Sequence, residues 1–498
     1  MLFSYAPPRR LLAAILALAA VLLTATAVLR STEYDENYTV FLAAGTPRPE
    51  WPAGVFAAGT MRGIFAGHST PASIATDLRH TDVHPPLYFW AAAGWRALAG
   101  TGLLETRMLS VLFAVAALAV LGMLARSAQV PPAAAMLLCL GTYGFTYTGA
   151  IARGFALAQL LLLAGTLLLL RARGPRAGFG AGLALGAATF TNYLTAFAAA
   201  AALAWRLLAR WRAWAVWLAA GIGFVLLIGA DLFFFLAQRD SRTGQFPPFA
   251  LLPSLMRLAQ YGIAALFGGL PLYVDGIVRA VVGAAVTGLL ALLAGIVAWR
   301  WSRIGTREGR WLLLMSLAAT PCGLLALGFA FNNTPIELRY LAFAAPFAAI
   351  LAAGGLATLS WRGPLIAATF ALQAASLAGM MLHPATMQPP RATAREAARL
   401  VGPDGLVLIP FGNDGVGVPA PFVTESPDWL RLRIVRRDED LARVLNDAAA
   451  FRRAVVALIE VDADSRATTP PLLAAFDTAA CWRRAETGTR AVAFDRTC

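Results

Sequence analysis

The sequence predicts an α-helical polytopic membrane protein, with about eleven and up to thirteen transmembrane helices, and a small C-terminal α/β extracytoplasmic domain. Of its 498 residues, 59% are hydrophobic and only 14% are charged. Soluble domains are about 45–50% apolar and about 25% charged. Apolar runs of about twenty residues, the length that crosses a bilayer, recur along most of the chain. A soluble fold could not bury so much apolar surface, so these runs must lie in lipid.

The placement of charge predicts the orientation of the helices. The net charge is +14, and all 41 basic residues are arginines. They cluster between apolar runs, notably at Arg9-Arg10, 171–176, 206–212 and 300–310. Cytoplasmic loops of membrane proteins carry such an excess of basic residues. The clusters therefore predict a cytoplasmic N-terminus, and the absence of a basic stripe interleaved with aromatic side chains argues against a nucleic-acid partner.

Eleven spans follow from the apolar runs. They are predicted at 11–29, 108–125, 132–150, 154–170, 178–191, 193–207, 213–236, 277–299, 311–330, 340–358 and 364–382. The first run is longer than the apolar core of a secretory signal, which favours a retained helix. Residues 84–100 are also apolar enough to cross, but their tryptophans and arginine are typical of a helix that lies in the interface. Thirteen spans is the alternative, in which 84–100 and 257–273 both cross.

Two external segments stand out by length, residues 30–107 and residues 383–498. The first is assigned to a transmembrane domain, 1–382, and the second to a separate domain. Cys481 and Cys498 lie in that second domain, where an oxidising compartment would favour a disulfide and free thiols are the alternative. The alternation of short helical and strand patterns there is typical of a small α/β layer fold. The predicted elements are helices at 391–401, 439–448 and 471–478 and strands at 405–410, 432–436, 454–460, 482–486 and 491–494.

Candidate catalytic acids follow directly after the first helix, in the segment Glu33-Tyr34-Asp35-Glu36-Asn37. A carboxylate that takes a proton from an acceptor hydroxyl must be positioned and partly desolvated, and a cleft at the membrane edge offers both conditions. The alternative is an acidic loop exposed to solvent.

A second polar motif is Thr81-Asp82-Val83-His84-Pro85-Pro86-Leu87-Tyr88. The paired prolines fix the backbone and exclude a regular helix before Leu87. They would hold Asp82 and His84 at the start of the interfacial helix. The simpler interpretation is a helix start with Asp82 as its cap, and both interpretations are compatible.

Together these two motifs resemble the protein O-mannosyltransferase superfamily, whose GT-C fold also includes the aminoarabinose transferases and bacterial glycosyltransferase family 39. Three further segments occur in the same order across residues 30–382. They are Glu105-Thr106-Arg107-Met108-Leu109-Ser110, Ala152-Arg153-Gly154-Phe155-Ala156-Leu157 and Arg339-Tyr340-Leu341. The Asp-x-His-Pro-Pro-Leu string is specific, and the others carry weight as an ordered set. Because His84 stands where the aminoarabinose enzymes have a lysine, the identity of the sugar does not carry over.

The resemblance implies a glycosyltransferase that moves a sugar from a polyprenyl-phosphate donor to an acceptor hydroxyl with inversion. Asp35 matches the catalytic base of the family, and Glu36 and Asp82 match its acidic companions. The leaving phosphate needs positive charge, which arginines at helix ends supply in a bidentate manner. The alternative for each arginine is an anchor that snorkels to the interface. The implied phosphate-binding residues are His84, Arg107, Arg153, Arg339 and Tyr340.

The sequence leaves the metal and the substrates open. No cofactor is required by the motifs, and a divalent metal ion on His84 with His68 or His80 is an alternative to three solvated histidines. The sugar is a hexose or a pentose, and the acceptor is a lipid, a glycan or a protein.

The bacterial character of the match implies an inner-membrane protein with its active site and C-terminal domain on the periplasmic side. The rival function is a transporter or flippase of lipid-linked sugars. Such a protein needs ionisable residues buried within the membrane, and Asp231 is the main candidate.

Overall fold

The structure, a computed structural model, describes residues 2–239, 247–383 and 389–498. Residues 240–246, between the predicted spans 213–236 and 277–299, and residues 384–388, at the start of the C-terminal domain, lie outside the described residues. The chain forms two compact units, each assembled from stretches that are distant in sequence. The first unit contains Met1–Leu29, Leu78–Ala91 and Arg107–Pro384, and the second contains Arg30–Asp77, Ala92–Thr106 and Ala385–Cys498.

The N-terminal three quarters of the chain are helical. The helices are α1 (Arg9–Leu29), α2 (Tyr34–Ala44), α3 (Ala58–Met61), α4 (Pro71–Thr81), α5 (Leu87–Ala99), α6 (Leu103–Ser127), α7 (Pro132–Leu140), α8 (Tyr143–Gly149), α9 (Phe155–Arg171), α10 (Pro175–Thr189), α11 (Thr195–Ala209), α12 (Trp214–Gln238), α13 (Leu251–Leu266), α14 (Gly276–Trp299), α15 (Arg307–Phe331), α16 (Ala345–Ala357) and α17 (Arg362–Leu382). Short 3₁₀ helices occupy Arg62–Phe65, Leu270–Leu272, Trp301–Arg303 and Leu338–Phe343.

Six helices within the described residues are long and apolar enough to cross a membrane, namely α1, α6, α12, α14, α15 and α17. Each of the six lies on a predicted span, and the chain is a multi-pass membrane protein. The shorter apolar helices α9, α11 and α16 also coincide with predicted spans. The total of eleven spans stays a prediction, because length and composition do not decide whether these shorter helices cross.

One predicted span, 132–150, is interrupted. Helix α7 ends at Leu140 and α8 begins at Tyr143. A Cβ atom on Gly141 would lie 2.3 Å from the side chain of Gln373, so this close approach requires glycine. The Thr142 hydroxyl then accepts a hydrogen bond from the Phe145 N–H at 3.3 Å, which caps the new helix. The continuous apolar run gave no sign of this break.

The predicted span 340–358 also begins differently. Residues Leu338–Phe343 form a 3₁₀ helix, and the α-helix starts only at Ala345. Pro346 accounts for the position of the start, because its missing N–H and fixed φ are tolerated only in the first turn.

Residues 84–100 contain the 13-residue helix α5, Leu87–Ala99. At about 1.5 Å per residue, this helix is about 20 Å long, less than the hydrocarbon core of about 30 Å. Its length favours the interfacial interpretation over a crossing.

The second unit is built on one sheet. Its remaining helices are α18 (Pro390–Val401), α19 (Pro419–Glu425), α20 (Leu441–Ala448) and α21 (Ala463–Thr478), and its strands are β1 (Phe56–Ala57), β2 (Leu406–Pro410), β3 (Arg431–Val435), β4 (Arg453–Ala457), β5 (Trp482–Thr487) and β6 (Ala491–Arg496). The strand order is β1-β3-β2-β4-β6-β5. The central strand β2 is parallel to β3 and β4 and fully buried, as its unbroken apolar run suggests.

The N-terminal edge of this sheet comes from the first external segment. Strand β1 pairs antiparallel with β3, with Phe56 opposite Leu432. The sequence assigns residues 30–107 to the domain 1–382, whereas most of them belong to the unit that holds the sheet.

Two predictions for the C-terminal segment need correction. Helix α21 starts at Ala463 and not at 471, because Asp462 and Ser465 form a capping box that starts the helix ahead of Pro470 and Pro471. Helix α19 was not predicted. The other predicted helices and strands are present with shifted ends.

Of the two alternatives for the C-terminal cysteines, the structure has the disulfide between Cys481 and Cys498, with their Cα atoms 5.2 Å apart.

Candidate active site

The loop that carries Asp82 and His84 connects α4 to α5 within the first unit. Gln238, the last residue of α12, donates hydrogen bonds from Nε2 to the Leu78 carbonyl at 2.7 Å and to the His84 carbonyl at 3.2 Å. Tyr193 donates from its hydroxyl to Gln238 Oε1 at 2.8 Å. The amide of Gln238 therefore ties the last turn of α4 and the middle of this loop to the end of a transmembrane helix.

Arg153 reaches the same loop from the start of α9. A Cβ atom on Gly154 would lie 3.1 Å from the Thr191 carbonyl oxygen and 3.2 Å from Tyr88 Cβ, which is tighter than ordinary packing. Glycine therefore lets α9 begin close to α5. The Arg153 guanidinium lies 5.7 Å from the centre of the Phe89 ring, a cation–π distance.

Asp82, His84 and Arg153 form one cluster. Arg153 donates from Nη1 to Asp82 Oδ2 at 3.1 Å, and Asp82 Oδ1 lies 2.9 Å from His84 Nδ1. Arg153 Nη2 lies 3.0 Å from the same His84 nitrogen. The side chains of Arg153 and Asp82 are 2% and 5% exposed, whereas that of His84 is 15% exposed. His84 is therefore the member most accessible to a ligand.

Electrostatics fix the charge of Asp82. Burial alone would raise the pKa of this carboxyl, but the charges of Arg153 and His84 and their hydrogen bonds hold the pKa well below its ordinary value of 3.8. Asp82 is thus a carboxylate at neutral pH. A carboxylate with so low a pKa is a weak base, so Asp82 suits a group that positions Arg153 and His84.

His84 can present an N–H group to an anion in either protonation state. When the imidazole is neutral, Nδ1 can accept from Arg153, and Nε2 then carries the hydrogen. When it is protonated, Nδ1 donates to Asp82 and Nε2 still carries a hydrogen. The two neighbours of Nδ1 therefore keep Nε2 as a donor.

Arg107 and Arg339 make their own contacts in the first unit. Arg107 donates from Nη1 to the Ala27 carbonyl at the end of α1, at 2.6 Å. A basic side chain is favourable there because carbonyl groups at the end of a helix carry partial negative charge. Arg339 pairs with Glu337 at 2.6 Å and lies 5.8 Å from the ring centre of Tyr340. Arg107, Arg339 and Tyr340 are all buried.

The acidic segment belongs to the second unit, where it opens helix α2. Glu33 and Glu36 form a capping box, in which the Glu33 N–H donates to Glu36 Oε2 at 2.9 Å and the Glu33 side chain accepts from the Glu36 N–H. Arg30 pairs with Glu33 at 2.6 Å. Asp35 lies in the first turn and is buried. Glu36, predicted as an acidic companion of the base, thus has a clear function in capping the helix.

Two further residues, Glu425 and Arg391, hold this segment and were not singled out by sequence. Glu425 accepts from the Thr32 N–H at 2.7 Å, and Arg391 donates from Nε to Glu425 at 2.7 Å. Arg391 also donates to the Arg30 carbonyl at 2.8 Å. These residues lie in helices whose sequences carry no motif, so only the folded chain reveals them.

The candidate metal ligands do not form a cluster. Within residues 2–239, 247–383 and 389–498, no group of three or more His, Cys, Asp or Glu side chains is placed to hold a metal ion. Metal dependence stays an open prediction.

Comparison with known proteins gives a fold. No protein-family model matches the chain, and no curated protein matches it. Two crystal structures of ArnT from Cupriavidus metallidurans, in the apo state and bound to undecaprenyl phosphate, align over 97% of this chain and 97% of their own. Their TM-scores are 0.54 and 0.52, at 13% and 12% sequence identity. The Saccharomyces cerevisiae Pmt1-Pmt2 O-mannosyltransferase complex bound to the sugar donor aligns over 49% of this chain and 35% of its own, with 16% identity and a TM-score of 0.33.

The two ArnT structures show that this chain has their fold along nearly its whole length. The GT-C fold that the motifs predict is therefore confirmed, together with the helical membrane architecture.

Proposed function

We propose that this protein is a membrane glycosyltransferase that moves a sugar from a polyprenyl-phosphate donor to an acceptor hydroxyl. The observation that carries the proposal is the buried Asp82–His84–Arg153 cluster. It lies at the end of transmembrane helix α12 and the start of α9, in a chain with the fold of ArnT. A charged cluster at the ends of apolar helices suits a ligand whose tail lies in lipid and whose phosphate lies at the interface.

In the proposed reaction, Arg153 and His84 stabilise the negative charge that develops on the departing polyprenyl phosphate. Donors that are already oriented toward such charge lower the barrier without reorganisation. Asp82 contributes by holding both groups in place. A guanidinium has five N–H donors, so Arg153 can contact a phosphate while it is paired with Asp82.

Asp35 is the proposed base. It would take the proton from the acceptor hydroxyl as the oxygen attacks the anomeric carbon, and the carbon–phosphate oxygen bond would break with inversion. The motif position of Asp35 and the burial of its side chain support this assignment, because a partly desolvated carboxylate is the better proton acceptor. Arg107, Arg339 and Tyr340 are proposed as further contacts of the donor phosphate.

The proposed setting is a bacterial inner membrane, with the Asp82 cluster and the sheet-containing unit on the periplasmic side. The arginine clusters at the opposite helix ends support this orientation. The acceptor is a lipid, a glycan or a protein, and the sugar is a hexose or a pentose.

The test is complementation of a deletion strain with wild type, Asp35→Asn or Glu50→Gln, followed by mass spectrometry of lipid extracts. Glu50 is an exposed acid of the same segment and serves as the matched control. We expect a polyprenyl-phosphate sugar to accumulate in the deletion and with Asp35→Asn, but not with Glu50→Gln. Normal turnover by a normally expressed Asp35→Asn protein would refute the assignment of the base.

A flippase of lipid-linked sugars is the second candidate, and one observation favours it. Asp231 is buried within α12, and its Oδ1 accepts no hydrogen bond from the described residues. Buried acids within membrane helices often belong to transport pathways. If Asp231→Asn blocks accumulation of the glycosylated product while Asp35→Asn does not, transport replaces transfer as the function.

A further inference from the structure

A large apolar cavity lies in the first unit among helices α14, α15, α16 and α17. Its volume is about 570 Å³, and its lining includes Leu293, Val297, Leu314, Ala352 and Trp301. A cavity of about 150 Å³ with a similar apolar lining binds benzene, so this one has room for a hydrocarbon of roughly twenty carbons. The cavity is therefore suited to an acyl chain.

One end of the cavity lies on the membrane face opposite the Asp82 cluster. On α6, Ser110 contacts Tyr88 at 2.9 Å, whereas Ala128, just past the end of α6, accepts from the Thr306 N–H at 2.9 Å. Eighteen residues of helix separate these two contacts by about 27 Å. Trp301, which lines the cavity, precedes Thr306 in the short connection between α14 and α15. The end of the cavity at Trp301 is therefore about one membrane thickness away from the candidate active site.

This connection carries a concentration of positive charge, which we name the arginine turn. It consists of Arg300, Arg303, Arg307 and Arg310. None of the four forms a salt bridge with another described residue, and Glu308, the one acid among them, pairs with Arg210 at 3.0 Å. The Arg310 guanidinium lies 5.8 Å from the ring centre of Trp301, so the charge borders this end of the cavity.

We propose that the cavity and the arginine turn form a binding site for an anionic phospholipid of this membrane leaflet. One acyl chain occupies the cavity, the Trp301 ring lies at the level of the ester groups, and the phosphate contacts the arginine turn. Basic pockets between helices at the cytoplasmic surface recognise anionic headgroups in this way. Charge complementarity selects an anionic headgroup over a zwitterionic one, because nothing within the described residues neutralises the four arginines.

The site is separate from the proposed glycosyl transfer. It lies at the other membrane face and uses none of the candidate catalytic residues. Its failure would leave the proposed function intact, and the two are tested by different measurements.

The test is native mass spectrometry of the full-length protein in detergent, titrated with dioleoyl-phosphatidylglycerol or dioleoyl-phosphatidylcholine. The wild type should bind one phosphatidylglycerol more tightly than phosphatidylcholine. Arg303→Gln/Arg307→Gln, two exposed positions of the turn, should weaken phosphatidylglycerol binding about twenty-fivefold, from about fivefold for each arginine. Arg173→Gln/Arg176→Gln is the matched control, because these exposed arginines follow α9 at the same face, where Arg171 contacts Ser127 at 2.8 Å. It should change binding less than about twofold.

A second variant tests the contribution of the cavity. Ala348→Phe adds a ring to the cavity lining, so it should weaken dioleoyl-phosphatidylglycerol but not dihexanoyl-phosphatidylglycerol, whose chains are too short to fill the space. Two results would overturn the proposal in favour of nonspecific lipid around the helices. The wild type would bind the two dioleoyl lipids equally well, or the arginine-turn variant and its control would lose the same amount of phosphatidylglycerol binding. If the affinity of Ala348→Phe depends on acyl-chain length as that of the wild type does, the acyl chain does not occupy this cavity.

Discussion

Asp82 and Glu36 are both buried acids from the recognisable motifs, yet they differ in how their charge is compensated. Asp82 pairs with Arg153, 71 residues away, in a cluster that joins two helices of the first unit. Glu36 accepts from the N–H of Glu33, three residues earlier, and so caps its own helix in the second unit. A tertiary ion pair orients groups toward a site, whereas a capping box stabilises one helix end. The comparison teaches that similar acids in neighbouring motifs can make contacts of different range, one across the fold and one within its own helix.

The largest effect should come from Arg153→Ala. It leaves Asp82 buried without its ion-pair partner, which costs about 3–5 kcal/mol of unfolding free energy. Thermal unfolding in detergent measures this loss, and the lipid assay should show no transfer. Arg153→Lys keeps the charge but loses the two-nitrogen geometry, so it should recover part of the stability and little of the transfer. Full transfer by the lysine variant would show that only the charge matters.

Asp82→Asn should have the next largest effect, with a distinct pH dependence. Because the pKa of Asp82 is lowered in the folded protein, its ionised form stabilises the fold above pH 4, and this contribution disappears as the pH falls through the folded pKa. The stability difference between wild type and Asp82→Asn should therefore be present at pH 5 and shrink below about pH 4. Unfolding measured across this range checks the prediction, and a difference that is already absent at pH 5 would contradict it.

Substitutions of Glu36 should lower the free energy of unfolding by a smaller amount, which depends on the residue introduced. Loss of the cap in Glu36→Ala should cost about 1 kcal/mol, whereas Glu36→Gln keeps an acceptor and should cost less than about 0.5 kcal/mol. Unfolding of both variants beside wild type measures the difference. If glutamine abolishes transfer as completely as Asp35→Asn does, the carboxylate charge of Glu36 takes part in the reaction, and the contrast with Asp82 disappears.

The smallest effect should come from Tyr193→Phe. Removal of the hydroxyl that donates to Gln238 should cost about 0.5–1.5 kcal/mol, the ordinary value of one hydrogen bond. Gln238→Leu, which also releases the Leu78 and His84 carbonyls, should cost more and should lower transfer by loosening the Asp82 loop. Equal effects of the two variants would mean that Gln238 does not hold the loop.

Much of the fold was predictable because lipid imposes a simple pattern. All six long apolar helices fall on apolar runs, since each span must satisfy its backbone hydrogen bonds internally. The breaks were not predictable. At the break after α7, Gly141 approaches Gln373, which lies 232 positions further along the chain, and hydropathy contains no information about such contacts.

The candidate site likewise has one contact that could be predicted from the sequence and others that could not. The approach of Asp82 to His84 follows from their spacing of two residues and the prolines behind them. The pairing of Asp82 with Arg153 and the support from Gln238 depend on which helices are neighbours. The site motifs gave the residue types, and only the tertiary structure gave the ion pair and the lowered pKa of Asp82.

The attachment of Thr32 to Glu425 has a consequence for biogenesis. These residues are 393 positions apart, and strand β1 likewise can pair only after β3 has been synthesised. A chain made from its N-terminus folds its early parts first, but contacts of such separation form only after the later partner has been synthesised. The stretch that carries Asp35 must therefore emerge unsupported and remain so until most of the polypeptide has been inserted. Under the proposed function, the site would then be assembled last, and an incompletely translated chain would lack the contacts that hold the Asp35 segment.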